Sequence, residues 1–453
     1  MYKIVPIFIY ILIHIGFIIL ESMQGIISFN LFYILLLTII YLSSIKKNNK
    51  ILIINSYMIS AFIGILYMCI NLYVYNAPFQ HAYDDSYYFM QAKEISENNI
   101  RIWQPYETIL SFIYSIIKLF TIPTLESLIV FNWFMSAFVI FFSKILAEEI
   151  TSSKLKDFHM YILLIGNIFF IDSVVHLYRD VLLLFSFLLS MIFLVKKNIF
   201  RSLSMSFLTS SIRLANGGLN IIIILIFRFL KINIFYVTII IIGIMYLINI
   251  LDQTIYLGSY LRGLAHAEAL NNQVTLTDII NLRLESMHED NDGFTKKIYS
   301  IPLFGYILAP MVNIFSPIIC YSPFVDMRVH LLNPDRIFYT SGFNLFNLLS
   351  WITIFIWFYV APRLIIGLKR ALFGKENERA FFIIFIILVI TVSLISTQGR
   401  HRTIFIVLYP IFIALFNKYK LNKKEKYIYY IVTIVFSAGL LLLNLYLFQL
   451  KEL

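Results

Sequence analysis

Phe381-Phe382-Ile383-Ile384-Phe385-Ile386-Ile387-Leu388-Val389-Ile390 carries no polar side chain at any position, and Ile221 to Ile226 repeats the pattern. A barrel strand would place a polar residue at every second position, so these runs are not strands of an outer-membrane barrel. They are helices, because a segment surrounded by hydrocarbon must close its backbone hydrogen bonds within itself. Such runs recur along the 453 residues, of which 60% are hydrophobic and 13% charged. An average soluble chain has about 45 to 50% apolar and 25% charged residues. The expected fold class is all-α, a single polytopic membrane domain over residues 1 to 453 with about 12 to 14 transmembrane helices.

Spans are expected at 4 to 20, 26 to 44, 51 to 75, 127 to 147, 158 to 174, 181 to 195, 199 to 214, 217 to 231, 232 to 251, 343 to 362, 380 to 396, 403 to 417 and 427 to 449. The first has only Lys3 before it and no small-residue cleavage pattern after it, so it reads as a retained span. Two stretches, 109 to 121 and 301 to 322, are short or broken by Pro302, Pro310 and Pro317 and read as half-helices or re-entrant segments.

Formal net charge is +11, and the lysines cluster in short turns beside apolar runs. That is the orientation rule of membrane proteins rather than a polyanion site, so no nucleic-acid partner is expected. If neither ambiguous stretch crosses, the turns with Lys46, Lys47 and Lys50, Lys144 to Lys156, Lys196 to Arg201, Arg228 and Lys231, Arg363 to Arg379, and Lys418 to Lys426 share one side, the cytoplasmic one. The acidic first external loop at 76 to 108, then His176 to Asp180, Arg213 to Gly218, the large external loop region at 252 to 341 and Thr397 to Arg402 emerge opposite. Cys69 and Cys320 belong to no metal or disulfide spacing.

Candidate chemistry lies in those external segments. Asp84 and Asp85 stand just past a span, where a carboxylate can serve as a base or a metal ligand, or can cap a helix beginning near Ser86. Arg179 and Asp180 form either a packing salt bridge or a guanidinium that faces a phosphate. Arg213 ends an apolar run, lining a cavity or snorkelling to the interface. Arg400, His401 and Arg402 place two arginines on the external side against the positive-inside tendency, which calls for an anionic lipid or a pyrophosphate. Arg328 and Arg336 are further phosphate candidates, while His288-Glu289-Asp290 reads as a solvated charge run. No P-loop, dinucleotide fingerprint or nucleophile elbow occurs.

Taken in order, Asp84-Asp85 with Tyr88 and Ala92, Pro105-Tyr106, Tyr178-Arg179-Asp180, Arg213, and Arg400-His401-Arg402 leading to Pro410 resemble the landmarks of the GT-C superfamily of integral-membrane glycosyltransferases. The resemblance implies a polyprenyl-linked sugar donor, an extracytoplasmic site, Asp84 or Asp85 as the catalytic base, and Arg179, Arg213, Arg400, His401 and Arg402 around the lipid phosphate. A divalent metal at the aspartates is compatible with it, with the metal residues unassigned. The chain departs from the family in having three spans before the acidic loop, an Asp-Asp rather than Asp-Glu pair, and a loop short for two surface helices. It also resembles O-antigen and capsule repeat-unit polymerases in length, span number and one large arginine-bearing external loop, where Arg262, Arg283, Arg328 and Arg336 would bind phosphate.

The expected function is therefore transfer of a sugar or lipid-linked oligosaccharide from an undecaprenyl (pyro)phosphate carrier to an acceptor hydroxyl on the outer face of a bacterial cytoplasmic membrane. The pathway would be surface polysaccharide assembly, with membrane lipids and polysaccharide-assembly proteins as partners. The alternatives are a repeat-unit polymerase proper, a lipid-linked sugar flippase or transporter, and a noncatalytic assembly subunit.

Overall fold

The computed structural model describes residues 47 to 75, 82 to 98, 105 to 119, 122 to 229, 345 to 395 and 399 to 452. The expected spans at 4 to 20, 26 to 44 and 232 to 251, the loop region 252 to 341 and Arg328 and Arg336 within it lie outside the described residues. Among the described residues the chain is all helical, 88% helix with no strand. The helices are α1 (Lys47–Tyr75), α2 (Ala82–Asn98), α3 (Pro105–Lys118), α4 (Leu125–Thr151), α5 (Asp157–Ile165), α6 (Ile168–Val175), α7 (Asp180–Val195), α8 (Ile199–Ile212), α9 (Leu214–Phe229), α10 (Leu345–Leu372), α11 (Glu376–Ile395), α12 (Thr403–Lys418) and α13 (Lys423–Glu452).

Two of these helices, Lys50–Cys69 within α1 and Leu125–Thr151, are long and apolar enough to cross a membrane, and the bent pair α5 and α6 passes the same test together. The two long helices pack on each other through small residues. Ser60 and Ser136 hydroxyls share a hydrogen bond of 2.9 Å, and Gly64 seats the indole of Trp133 where a Cβ would collide with it. Interfaces of this kind are expected where lipid supplies no hydrophobic drive and close backbone approach supplies the contact. The same logic ties α7 to α8, where Ser190 bonds Ser202 and Ser206 and Thr209 donates to Ser186. On α10, Gly367 lies against the backbone carbonyl of Phe412 in α12.

Helix ends follow local chemistry. Thr124 caps α4, accepting from Ser127 N–H while Ser127 Oγ accepts from Thr124 N–H. The expected single span at 158 to 174 is instead two helices meeting at 76°. Tyr161 to Ile165 unwinds into a π turn closed by Gly166 N–H on Tyr161 C=O, and Asn167 then accepts from Phe169 N–H to start α6. Thr353 on α10 holds the corner by donating to Gly166 C=O at 2.9 Å. The 343 to 362 span runs on through Pro362 to Leu372, against expectation. Arg363 anchors the turn at the proline, donating to Tyr359 C=O and stacking 3.5 Å from its ring centroid.

The basic turns gather at one end. Lys144 pairs with Asp157, Lys196 with Glu149, and Asn417 meets His159. Between α1 and α4 stand two helices, α2 and α3, packed along each other through Ser96 and Ser115, the ion pair Lys118 to Glu97, and Phe89 against Tyr114. The stretch 109 to 121, expected as a half-helix or re-entrant segment, falls largely within α3, which begins earlier at Pro105 and ends at Lys118.

Candidate active site

Asp85 lies in the first turn of α2 and is wholly buried. One carboxylate oxygen accepts from Leu177 N–H and the other accepts from His176 Nδ1 at 2.7 Å. With Nδ1 donating, the neutral imidazole presents a lone pair at Nε2, and the Tyr67 hydroxyl at 3.0 Å donates to it from the end of α1. Tyr178 stacks on the other side of the ring at 4.8 Å, and Asp172 stands 3.7 Å from Nε2.

A second bracket grips the same segment. Asn132, in the first turns of α4 and fully buried, donates from Nδ2 to the carbonyls of His176 and Tyr178 at 2.7 and 3.0 Å, while its oxygen accepts from the Tyr106 hydroxyl of α3 at 3.2 Å. Side chains of α1, α2 and α4 therefore fix residues 176 to 178 by hydrogen bonds, and α3 supports them through the Tyr106 bond to Asn132. The next two residues are Arg179 and Asp180, so their position follows from that clamp.

Asp180 does not pair with Arg179. It pairs with Arg213, Nη1 to Oδ1 at 3.2 Å, where α8 breaks and turns back into α9. Gly217 allows this tight return, since a Cβ there would strike the Ser210 backbone. Glu107 is the buried acid in the first turn of α3, and the Arg179 charge acts on it; the Arg179 Nε is buried without a hydrogen-bond partner. Burial pushes the Glu107 carboxyl above its ordinary range; a bond from its own backbone N–H and the Arg179 charge pull it partly back. Tyr88 of α2 packs edge-on to Tyr106, and its phenol is pushed up to about 12, chiefly by burial. Arg179 and Arg213 lower that value while Glu107 and Asp180 raise it, so all four charges lie within reach of one phenol.

The structure brings together Asp85, Arg179 and Arg213 of the sequence candidates. Asp84 precedes Asp85 in the first turn of α2. Arg402 is set apart: it is buried over the ring of Phe169 at 5.3 Å, at the start of α6, whose other end leads to His176. Arg400 and His401 share its 3-10 turn at Gly399–Arg402. Among the described residues, no three His, Cys, Asp or Glu side chains form a group that could hold a metal ion. Sequence reasoning passed over Glu107, Asn132 and Tyr67. Asn132 had a visible signal, a lone amide near the start of a long apolar run, since such a group needs partners. Glu107 had none, being a single acid at the edge of a polar loop.

No family model matches this chain, and neither a curated protein nor a solved structure is similar to it.

Proposed function

We propose that the chain is a multi-pass glycosyltransferase of a bacterial cytoplasmic membrane, carrying a sugar or lipid-linked oligosaccharide from an undecaprenyl (pyro)phosphate to an acceptor hydroxyl on the extracytoplasmic face, in surface polysaccharide assembly. The observation that carries this reading is that the Asp85 and Asn132 hydrogen bonds to residues 176 to 178 hold Arg179 next to the Asp180–Arg213 ion pair, with Asp84 on the same helix turn as Asp85. The helix pair that opens with the Asp-Asp motif supports the resemblance to the GT-C superfamily.

In this reading Asp84 is the base. Both oxygens of Asp85 are engaged by His176 and Leu177, so Asp85 positions the segment that carries Arg179 rather than reaching substrate. The acceptor hydroxyl oxygen forms its bond to the anomeric carbon as the bond from that carbon to the carrier phosphate breaks. The hydroxyl proton goes to Asp84, and the electron pair leaves on the phosphate. Guanidinium groups match phosphate oxygens and stabilise the charge that develops there, which is where preorganised electrostatics contributes most. Arg179, with its uncommitted Nε, and Arg213 take that role.

The test is the surface polysaccharide of a deletion strain complemented with wild type, Asp84→Asn and Arg179→Ala, each checked for protein level in the membrane. Loss of product in both variants at normal level is expected, and EDTA treatment of membranes reports a divalent metal at Asp84. Normal product from both variants overturns the proposal. A core bearing one repeat unit and no ladder identifies the polymerase form; loss of the repeat identifies a transferase acting earlier. The 76° break between α5 and α6 favours a second reading, a lipid-linked sugar flippase, since broken helices line transport paths. That reading predicts donor accumulating on the cytoplasmic leaflet in the deletion strain and no effect of Asp84→Asn.

A further inference from the structure

At the end of the bundle away from Asp85, two turns are stitched into one surface. The turn between α10 and α11 and the turn between α12 and α13 are joined by Arg370, which donates to both oxygens of Glu425 at 2.9 and 2.8 Å and to the carbonyls of Leu415, Phe416 and Tyr419. Lys418 adds a second stitch to Glu378 at 3.2 Å. Glu378 and Glu425 are buried, so these acids face inward and their charge is spent within the protein. The outward side is basic: Lys369, Lys375, Arg379, Lys420, Lys423, Lys424 and Lys426 stand exposed against one exposed acid, Glu376. Among them project Leu372 and Phe373, the latter 78% exposed, and Tyr419.

Helix α13 continues that surface. Its exposed large side chains are Tyr427, Tyr430, Ile431, Ile434, Val435 and Leu442, which recur at helical spacing on one face. From Lys423 to Val435 this face passes from lysine to tyrosine to aliphatic over about 18 Å at 1.5 Å per residue, about one leaflet. Lysine at the headgroups, tyrosine at the interface and aliphatic side chains among the acyl tails is the polarity order of a single leaflet. An acidic protein would meet the lysines and leave the aliphatic stretch uncovered. A second copy packed about a two-fold axis would set lysines against lysines.

We propose that the Lys369 to Arg379 and Lys418 to Tyr430 surface binds anionic phospholipid headgroups in preference to zwitterionic ones, with Phe373 and Leu372 inserted at the headgroup boundary. This does not rest on the glycosyltransferase reading. Each lysine near a negative surface favours binding by about fivefold, so neutralising four of them lowers the preference by up to about 600-fold.

The experiment uses the full chain in nanodiscs of equal phosphatidylglycerol and phosphatidylcholine, released into neutral detergent, with the retained lipids identified by native mass spectrometry. Wild type is expected to retain phosphatidylglycerol, less so in 0.5 M NaCl. The Lys420→Gln, Lys423→Gln, Lys424→Gln, Lys426→Gln variant loses the preference, and the matching Lys→Arg variant keeps it. Equal retention of both lipids by wild type, or retention unchanged in a Gln variant of normal thermal stability, overturns the proposal. Should the Gln variant fail to fold, the salt series on wild type and on the Arg variant decides, and a preference indifferent to salt overturns it.

Discussion

Replacing Asp85 by Ala tests the clamp on residues 176 to 178. The carboxylate is wholly buried and accepts from two donors, Leu177 N–H and His176 Nδ1, neither of which gains a new partner when the side chain is cut to a methyl. Hydrogen bonds to a charged group contribute about 1.5 to 3 kcal/mol each, and breaking a buried pair by deleting one member costs about 3 to 5 kcal/mol. The expected loss is therefore about 3 to 5 kcal/mol, read as the shift in denaturant unfolding of the protein in mixed micelles. His176→Ala removes one of the two bonds together with the contacts to Tyr67 and Tyr178. The double variant should then cost less than the sum of the singles, by about 1 to 3 kcal/mol of coupling. Asp85→Ala costing under about 1 kcal/mol, or a coupling near zero, would refute the clamp.

Gly367→Ala puts a Cβ into the Phe412 carbonyl, a backbone atom that cannot swing aside, whereas a Cβ at Gly439 meets nothing. The first should cost about 1 to 3 kcal/mol and the second should be neutral or stabilising; equal unfolding midpoints would contradict the close approach of α10 and α12. Asn167→Ala removes the cap of the eight-residue α6 and should cost about 1 kcal/mol, with faster hydrogen exchange confined to 168 to 175. Glu107 binds its proton more tightly folded than unfolded, so the native state holds more protons between the usual Glu value of 4.5 and its own raised pKa, and stability falls as pH rises through that window. Glu107→Gln should flatten this part of the unfolding profile, and a wild-type slope unchanged in the variant would assign the pH dependence elsewhere.

How much of this was legible in the sequence depends on the length scale of the signal. Apolar runs average over twenty residues, so the helices at 125 to 151 and 180 to 195 emerge within two residues of their expected starts. The same averaging hides the break at Gly166-Asn167, where one residue ends a helix and the next caps another inside an apolar run. Charge gave the candidate residues but not their partners. Arg179 and Asp180 are neighbours in sequence, yet at the start of α7 their side chains diverge, and Asp180 takes Arg213 from the α8 and α9 break. Asp85 and His176 are 91 residues apart, and no spacing rule spans that distance.

The charges of the site carry one more consequence. Asp180 is occupied by Arg213 and Asp85 by His176 and Leu177, which leaves Glu107 as the acid that competes for Arg179. An anion that takes Arg179 offsets the weaker of the two influences that lower the Glu107 pKa, so that pKa should rise further and a fraction of a proton should be taken up on binding. A polyprenyl phosphodiester keeps one fixed charge across this range and is the appropriate probe. Its affinity should tighten as pH falls toward the ordinary Glu range, by less than about tenfold per pH unit because less than one proton is coupled. Glu107→Gln should bind with the low-pH affinity at every pH. Calorimetry in two buffers of different ionisation enthalpy measures the proton directly, and binding without proton uptake in wild type would separate Glu107 from the phosphate role assigned to Arg179.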